Sequence, residues 1–392
     1  MLFPPLSAAG PARSGDAIGE MTGFDYRNDF GATLRTTHTM QIGVDSFVAT
    51  APDQAREGAV GDAGRVRELL EQIELADQVG LDVFGLGEHH RPDYLASAPA
   101  VLLAAAAART QRIRLASAVT VLSSDDPVRV FQQFATLDLI SQGRAEIIVG
   151  RGSFIESYPL FGFDLDDYDE LAAEKLELLL KIRERTHVTW SGRHRAALTG
   201  QGVYPRPLQQ PLPIHLGVGG TPQSAIRAGT LGLPLVVAII GGQTSQFRPL
   251  IDLYRESGRR AGHAPEKLTV GIHHLGFFAE TTEAARETFW PAYRDAFVKI
   301  GRERGWPPPT RPQFDAQCGP AGALAVGDPE TVAGKILAEN TVLGGISRLT
   351  VLLDNRVLTH AQILRAIELL GTRVAPIVRK AVADPAAPNA SA

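Results

Sequence analysis

The run Glu88-His89-His90 could do acid–base chemistry, because it places a carboxylate and two imidazoles directly after a short apolar segment. Near neutral pH an imidazole can act as a general base, donate a hydrogen bond or contact a bound ligand. The alternative is a pair of solvated loop histidines with Glu88 in a salt bridge. Adjacent histidines point apart and no third nitrogen or sulfur ligand has a helpful spacing, so the run does not predict a zinc site.

A second run, Gly150-Arg151-Gly152-Ser153, has the composition of an anion site. The glycines allow a ligand to approach the backbone closely, and a guanidinium can bind a phosphate through two parallel hydrogen bonds. The alternative for Arg151 is a structural ion pair at the rim of the fold.

A third run, Gly219-Gly220-Thr221-Pro222, predicts the start of a helix. Thr221 fits the N-cap and Pro222 fits the first helical position. The backbone N–H groups of such a terminus have no partners within the helix and can bind an anion, which the two glycines leave room for. A well-capped helix without a ligand is the alternative.

Apolar and β-branched runs alternate with amphipathic helical patterns from Met40 onward, and these elements must position the three runs. Strands buried on both faces read as continuous apolar runs, as several here do. Eight such strands joined by right-handed crossovers predict a (β/α)8 TIM barrel. An open doubly wound sheet is the rival, but no G-x-G-x-x-G turn follows the first strand. The predicted strands span residues 41–48, 82–87, 113–122, 145–149, 213–218, 233–240, 268–278 and 347–353.

Helical patterns fill most of the intervals, and two stretches rich in glycine and proline interrupt the rhythm. The first insertion, 187–211, follows the fourth predicted helix, and the second, 305–327, precedes the eighth strand. Residues 1–39 and 383–392 lack periodicity and are interpreted as a disordered leader and tail around a barrel domain at 40–382. The predicted helices span residues 63–79, 98–109, 127–140, 169–185, 222–231, 247–261, 282–304, 329–340 and 360–381.

Composition narrows the class of partner. The formal net charge of −4 favours neither nucleic acid nor an anionic membrane. The single cysteine, Cys318, excludes an internal disulfide and a cysteine-rich metal site, and it suits a reducing compartment. No apolar run reaches the roughly 18 residues needed to cross a bilayer. We therefore expect a cytoplasmic protein that acts on a small molecule.

The predicted barrel brings the second and third runs together. Active sites of such barrels lie at the carboxyl ends of the strands, and the fourth and fifth strands are neighbours. Arg151, Ser153 and the helix start near Thr221 should therefore converge on one point, where a single phosphate explains all of them. The rest of that ligand would reach across the barrel mouth toward His89.

Five segments in the same order resemble the bacterial-luciferase-like flavin-dependent monooxygenases, and together they cover nearly all of the patterned chain. Each is weak alone, but five in order are a specific signal. The segments are Glu88-His89-His90; Leu137-Asp138-Leu139-Ile140-Ser141-Gln142-Gly143-Arg144; Gly150-Arg151-Gly152 with Phe161-Gly162; Gly219-Gly220-Thr221-Pro222 with Gly232-Leu233-Pro234; and Val326-Gly327-Asp328-Pro329-Glu330.

The resemblance implies an oxidoreductase that binds FMN at the barrel mouth, receives it reduced from a separate reductase and uses molecular oxygen on a small substrate. It implies that His89 is the base or donor near the flavin, and that a non-proline cis peptide at Ala118–Val119 lies beneath the flavin ring. It also implies that the insertion at 187–211 and the Gly241-Gly242 turn shape the substrate site. Members are often homodimers. The cofactor-binding residues implied are Glu88, His90, Ala118, Val119, Arg151, Gly152, Ser153, Gly219, Gly220 and Thr221.

Two alternatives stay open. Related barrels transfer hydride with a deazaflavin coenzyme, although those relatives tend to carry an acidic residue and one histidine where this chain has Glu88-His89-His90. Other relatives bind flavin without catalysis, against which His89 and Arg151 argue. Aldehydes, alkanesulfonates, aromatics and natural-product intermediates are all substrates in this group, so the sequence does not choose among them.

Overall fold

The chain folds into a closed barrel of eight parallel strands surrounded by helices. A computed structural model describes residues 40–50, 61–152, 154–355 and 357–384. The ring runs β1-β2-β3-β5-β8-β9-β10-β12 and closes where β12 pairs with β1. The strands are β1 (Gln41–Ser46), β2 (Val83–Leu86), β3 (Arg114–Ser117), β4 (Thr120–Val121), β5 (Ala145–Gly150), β6 (His187–Trp190), β7 (Leu198–Gly202), β8 (Ile214–Val218), β9 (Leu235–Ala238), β10 (Val270–Phe278), β11 (Ala325–Gly327) and β12 (Arg348–Leu352).

Helices cover the outer face of the ring, and their apolar sides form one continuous core with the strands. Within the described residues, no helix has the combination of length and apolar character that a membrane span needs. The helices are α1 (Asp62–Gln78), α2 (Pro99–Ala107), α3 (Pro127–Ser141), α4 (Ser157–Phe161), α5 (Tyr168–Glu184), α6 (Pro222–Thr230), α7 (Arg248–Arg260), α8 (Thr282–Arg304), α9 (Arg311–Cys318), α10 (Pro329–Val342), α11 (His360–Leu369) and α12 (Ala375–Ala383).

The barrel prediction is confirmed, and the open-sheet rival is wrong because β9 and β10 also pair and leave no free edge in the ring. All eight predicted strands are present. The third was predicted as one strand over 113–122, but it is divided into β3 and β4. The division falls at Ala118 and Val119, between which the peptide bond is cis, as the resemblance implied.

The two insertions are more regular than predicted. Residues 187–211 contain the antiparallel hairpin β6–β7, and 305–327 contain α9 and β11. The start of α9 was recognisable, because Thr310 and Gln313 form a reciprocal capping box. The predicted leader at 1–39 and residues 385–392 of the predicted tail lie outside the described residues, and α12 extends to Ala383.

A buried charge cluster fills the barrel interior at the amino-terminal ends of the strands. Glu146, only 3% exposed, contacts Arg114 and accepts a hydrogen bond from Arg348 Nη1 at 2.6 Å. His215 Nε2 lies 3.8 Å from Glu146 Oε2. Burial alone would raise the pKa of Glu146, but Arg348, His215 and Arg114 together lower it well below its ordinary value. One carboxylate therefore balances the guanidinium groups of two other strands, β3 and β12, while burial lowers the pKa of His215 on β8 to about 4.

We expect Glu146→Gln to destabilise the fold by about 3–5 kcal/mol, because the neutral amide leaves Arg348 buried without its counter-charge. Urea unfolding at neutral pH measures this. Glu177→Gln is the matched control, since Glu177 is 62% exposed and pairs with Lys181 on the surface at 3.2 Å. Its loss should stay below about 1 kcal/mol. Equal free energies of unfolding for the two variants would show that the Glu146 cluster does not stabilise the fold.

Candidate active site

A cavity of about 530 Å³ opens at the carboxyl ends of the barrel strands. Ligand sites in proteins commonly have volumes of about 300–1,000 Å³, so a flavin-sized ligand is compatible with it. Its walls combine strand ends with the inner face of α8. The sequence-predicted residues that line it are Glu88, His89, Ala118, Val119, Arg151, Gly152, Gly219 and Thr221.

The predicted convergence of the β5 and β8 ends is confirmed. Arg151 Nη2 donates a hydrogen bond to Thr221 Oγ1 at 3.1 Å. Thr221 is the N-cap of α6, yet its hydroxyl makes no capping bond to the helix. Residue 222 is proline and Ser224 N–H donates to the Thr221 carbonyl oxygen at 3.1 Å, so the first-turn donor left for an anion is the N–H of Gln223. Gly220, at φ +124°, has open space where a side chain would stand. Ser153 lies outside the described residues.

Arg151 also forms the ion pair that the sequence left as its alternative role. Its Nη1 contacts Asp169, whose side chain is 79% exposed, while the arginine side chain is 28% exposed. The guanidinium lies 5.0 Å from the centre of the Tyr168 ring. An exposed carboxylate can be displaced toward water, so the pair orients Arg151 without closing the site to an anion.

Two tyrosines that the sequence analysis missed fix the backbone around Arg151. Tyr158 donates from its hydroxyl to the carbonyl oxygen of Arg151 at 2.9 Å, and Tyr168 donates to that of Gly152 at 2.8 Å. The two rings stack with their centres 5.5 Å apart. These bonds hold the segment after β5 in place, which leaves the guanidinium as the adjustable part.

Val119 forms the floor of the cavity between β5 and β8. A Cβ atom at Gly150 would lie 2.5 Å from Val119 Cγ2, and one at Gly217 would lie 2.8 Å from Val119 Cγ1. Both positions therefore need glycine for the valine to fit. The carbonyl oxygen of Val119 accepts a hydrogen bond from the backbone of Glu88 at 3.1 Å, which joins the floor to the histidine run.

Glu88 lines both the main cavity and a small adjoining cleft, whereas His90 lies behind the main cavity. Glu88, 6% exposed, accepts hydrogen bonds from the backbone of Val121 and contacts His90 Nε2, both at 2.9 Å. The His90 ring packs edge-on against Phe161 with their centres 5.1 Å apart. His90 lines only a small adjoining cleft and not the main cavity. These contacts place both residues where they support the loop after β2.

His89 projects into the cavity within an aromatic cage. Its ring centre lies 4.4 Å from that of Phe47, 4.7 Å from that of Tyr94 and 5.2 Å from that of Phe154. Burial, followed by the positive charges of Arg91 and His90, lowers the pKa of His89 to about 4. The imidazole is therefore neutral near pH 7 and can accept a proton or donate a neutral hydrogen bond.

Arg91 and its partners join the loop after β2 to the end of α8 at the cavity mouth. Arg91 contacts Glu156 and Glu303 and lies 4.5 Å from the centre of the Phe154 ring. The hydrogen bond that Arg91 donates to Glu303 is the first cause that raises the pKa of Arg91, so this side chain remains a cation. The mouth is thus held by charge pairs that surround the His89 cage.

The cavity wall away from the strand ends differs from what the resemblance implied. The insertion at 187–211 and the Gly241-Gly242 turn do not line the cavity. The wall is instead α8, which presents Phe289, Tyr293 and Phe297 four residues apart. This i, i+4, i+8 aromatic spacing was visible in the sequence, but a stripe of that kind is more often core than ligand wall.

Two polar side chains inside the strands also line the cavity and were missed. Asp45 is 3% exposed on β1, and His273 on β10 lies with its Nδ1 2.6 Å from Asp45 Oδ2. The available signal was an aspartate within β1 and two adjacent histidines within β10. Strand periodicity alone does not show which way they point.

We expect His89 to titrate near pH 4, and this can be followed by NMR of its ring, with His89→Gln identifying the signal. Because its pKa is lower in the folded chain than the ordinary value of about 6.5, the unfolded chain binds more protons between these values. His89 should therefore contribute about 2 kcal/mol to the fall of stability between pH 7 and pH 5, and His89→Gln should remove that contribution. A midpoint near the ordinary value would contradict the burial of this ring.

Comparison with known proteins gives a consistent assignment. A family model described as luciferase-like monooxygenase matches residues 40–345. An F420-dependent glucose-6-phosphate dehydrogenase from Amycolatopsis mediterranei is 31% identical, over 57% of this chain and 69% of that protein. Matched stretches cover 70%, 43% and 64% of the lengths of three other curated relatives.

Solved structures show the same fold. The monooxygenase RslO1 from Streptomyces bottropensis has a TM-score of 0.75 at 23% identity, covering 86% of this chain and 99% of that one. The oxygenating constituent of 3,6-diketocamphane monooxygenase from Pseudomonas putida, in complex with FMN, has a TM-score of 0.70 at 21% identity, covering 86% and 98%.

Proposed function

Because the chain belongs to the luciferase-like monooxygenase family, we propose that it is an FMN-dependent monooxygenase acting on a small organic substrate with molecular oxygen. The observation that carries a phosphate-bearing cofactor is the contact between Arg151 Nη2 and Thr221 Oγ1 at 3.1 Å. It brings a cation to the start of α6, which suits a terminal phosphate dianion.

The residues present fit the cofactor. Arg151, Gly152, Ser153, Gly219, Gly220 and Thr221 would hold the phosphate, and Ala118 and Val119 would support the ring system along the cavity floor. Glu88 and His90 are proposed to support this side of the site through the loop after β2. When bound, FMN supplies the redox chemistry with oxygen.

The chain's own contribution is proton handling and exclusion of water. His89 is neutral and desolvated, so it can accept a proton from a reacting group or donate a hydrogen bond without first losing a charge. The cage of Phe47, Tyr94 and Phe154 limits the access of water to that imidazole. We propose His89 as the catalytic base or donor.

The second candidate is hydride transfer with the deazaflavin coenzyme F420, which the name of the Amycolatopsis relative favours. The comparisons include both coenzymes, and the phosphate clamp alone does not separate them. We favour FMN because two adjacent histidines follow Glu88. We also propose that a separate reductase supplies the reduced flavin, that the protein is a cytoplasmic homodimer, and that the barrel domain spans residues 40–382.

We expect purified protein to bind FMN more tightly than riboflavin, which lacks the phosphate. Arg151→Gln should weaken FMN binding about 10- to 100-fold, because a charge-assisted hydrogen bond contributes about 1.5–3 kcal/mol. Riboflavin binding should change little. Fluorescence titration with FMN, riboflavin and F420 measures all three affinities.

Two further variants sharpen this titration. Asp169→Asn removes the carboxylate that competes with phosphate for Arg151, so FMN should bind more tightly by a few fold. Arg260→Gln is the control, because Arg260 is 78% exposed and its ion pair is with Glu256 on the same helix, α7. FMN and riboflavin affinities that fall equally in Arg151→Gln would refute the phosphate site, and selective binding of F420 would replace FMN by the second candidate.

We expect His89→Gln to keep FMN binding and to lower kcat about 100-fold or more, the usual range for loss of an acid–base group. A panel of aldehydes, alkanesulfonates and aromatics with chemically reduced FMN identifies a substrate through its oxygenated product. His187→Gln is the matched control, since that histidine is exposed on β6. Undiminished turnover in His89→Gln would remove it from the mechanism, and no oxygenated product from any substrate would support a non-catalytic flavin-binding protein.

A further inference from the structure

We propose that Asp45 and His273 form a second acid–base pair that binds and deprotonates an acidic hydroxyl of the substrate, a phenol or an enol. This rests on the proposed function, because the pair would act on the molecule that the monooxygenase oxidises. The two side chains come from β1 and β10, which are separated in the barrel by β12. Neither belongs to the runs from which the flavin site was inferred.

The chain makes space for this pair at Gly85. A Cβ atom there would lie 2.1 Å from Asp45 Oδ1 and 2.8 Å from Ala118 Cβ. Gly85 is paired with Asp45 in the register of β1 and β2. Any side chain at position 85 would displace the carboxylate of Asp45. The glycine therefore allows a buried acid to remain at the cavity wall.

The hydrogen bond between the two side chains fixes the proton on His273. A carboxylate only accepts hydrogen bonds, so Nδ1 must donate across the 2.6 Å separation to Asp45 Oδ2. The lone pair of the neutral ring is then on Nε2, which has no hydrogen-bond partner among the described residues. This is the arrangement of a general base whose tautomer is set by a carboxylate.

His274, the next residue, shows what a structural histidine looks like in the same strand. It points to the opposite face, as successive strand residues do. It is 0% exposed, and both its nitrogens are engaged, Nδ1 with the carbonyl oxygen of Ile239 and Nε2 with Glu339, each at 3.1 Å. His273 differs in lining the cavity with one nitrogen still available.

The neighbouring walls indicate the body of the substrate. Tyr293 and Phe297 stack with their ring centres 4.2 Å apart, and Phe289 lies 6.4 Å from Tyr293. Together with Leu275 and Ile240 they give apolar surface to the same cavity that His273 lines. A flat aromatic or conjugated molecule fits such walls, and one polar group on it would meet His273 Nε2.

The step is a proton transfer and needs no other reactant. The substrate O–H bond breaks, its electron pair stays on oxygen, and the proton forms an N–H bond at His273 Nε2. Asp45 stabilises the resulting imidazolium through the existing hydrogen bond. The phenolate or enolate is more electron-rich at carbon, which prepares that carbon for oxygenation.

The test uses 4-nitrophenol, whose phenolate absorbs visible light while the phenol does not. Full-length protein, alone and saturated with FMN, is titrated with the probe at one near-neutral pH, and the bound phenolate-to-phenol ratio is read from difference spectra. We expect the wild-type chain to raise this ratio above that in buffer. His273→Gln and Asp45→Asn should each lower it about tenfold or more, because an ion-pair partner shifts such an equilibrium by at least about one pKa unit.

Matched controls separate ionisation from folding and from the flavin site. The methyl ether 4-nitroanisole has no acidic proton, so wild type and both variants should bind it equally if the cavity is intact. His89→Gln should leave the phenolate ratio unchanged. The proposal is overturned if the ratio follows His89, if His273→Gln preserves it, or if the wild-type chain binds the probe only as the phenol or not at all. The probe needs no FMN, so a failed flavin titration remains a separate result.

Discussion

The contact between Arg151 and Thr221 depends on the parallel pairing of β5 with β8, and the proposed flavin site depends on that contact. Parallel pairing of β5 with β8 sets Val149 opposite Leu216, so both strands end at the same level. Whatever follows each strand is then brought together, although the two residues are 70 positions apart. An open sheet would also place the ends of neighbouring strands together, but only the closed ring surrounds them with six further strand ends and forms a cavity.

The rim residues could be predicted from the sequence because their signal is local. Polar or glycine-rich runs directly after apolar strands identify the carboxyl ends, and the alternation of strands with helices fixes which ends are neighbours. His89, Arg151 and Thr221 were found in this way. The position of Ala118–Val119 came from family resemblance instead, since nothing in their side chains distinguishes them from the rest of an apolar strand.

The wall residues could not be predicted because their role depends on long-range geometry. Asp45 and His273 lie within strands, and each becomes informative only when the other is seen beside it. The same holds for Gly85. A side chain at this position is excluded by the Asp45 carboxylate opposite it, which only the structure shows. Likewise the aromatic stripe of α8 is compatible with core packing until the helix is seen to line a cavity. Short regular pieces such as β6–β7 were missed because glycine-rich runs hide a local hairpin.

The barrel interior contains two buried acids whose surroundings give them different roles. Glu146 is contacted by Arg114 and Arg348, with His215 close by, so the charge of its carboxylate is compensated on several sides. This carboxylate therefore has little tendency to accept a proton. Among the described residues, the Asp45 side chain is hydrogen-bonded to His273 alone, and that histidine has a nitrogen available toward the cavity. Burial makes an uncompensated charge costly in both cases. A carboxylate whose hydrogen-bond and ion-pair partners are complete stabilises the fold, whereas a carboxylate–histidine pair with one nitrogen unoccupied can still accept a proton. The same chemistry is therefore structural at one end of the barrel and available for reaction at the other.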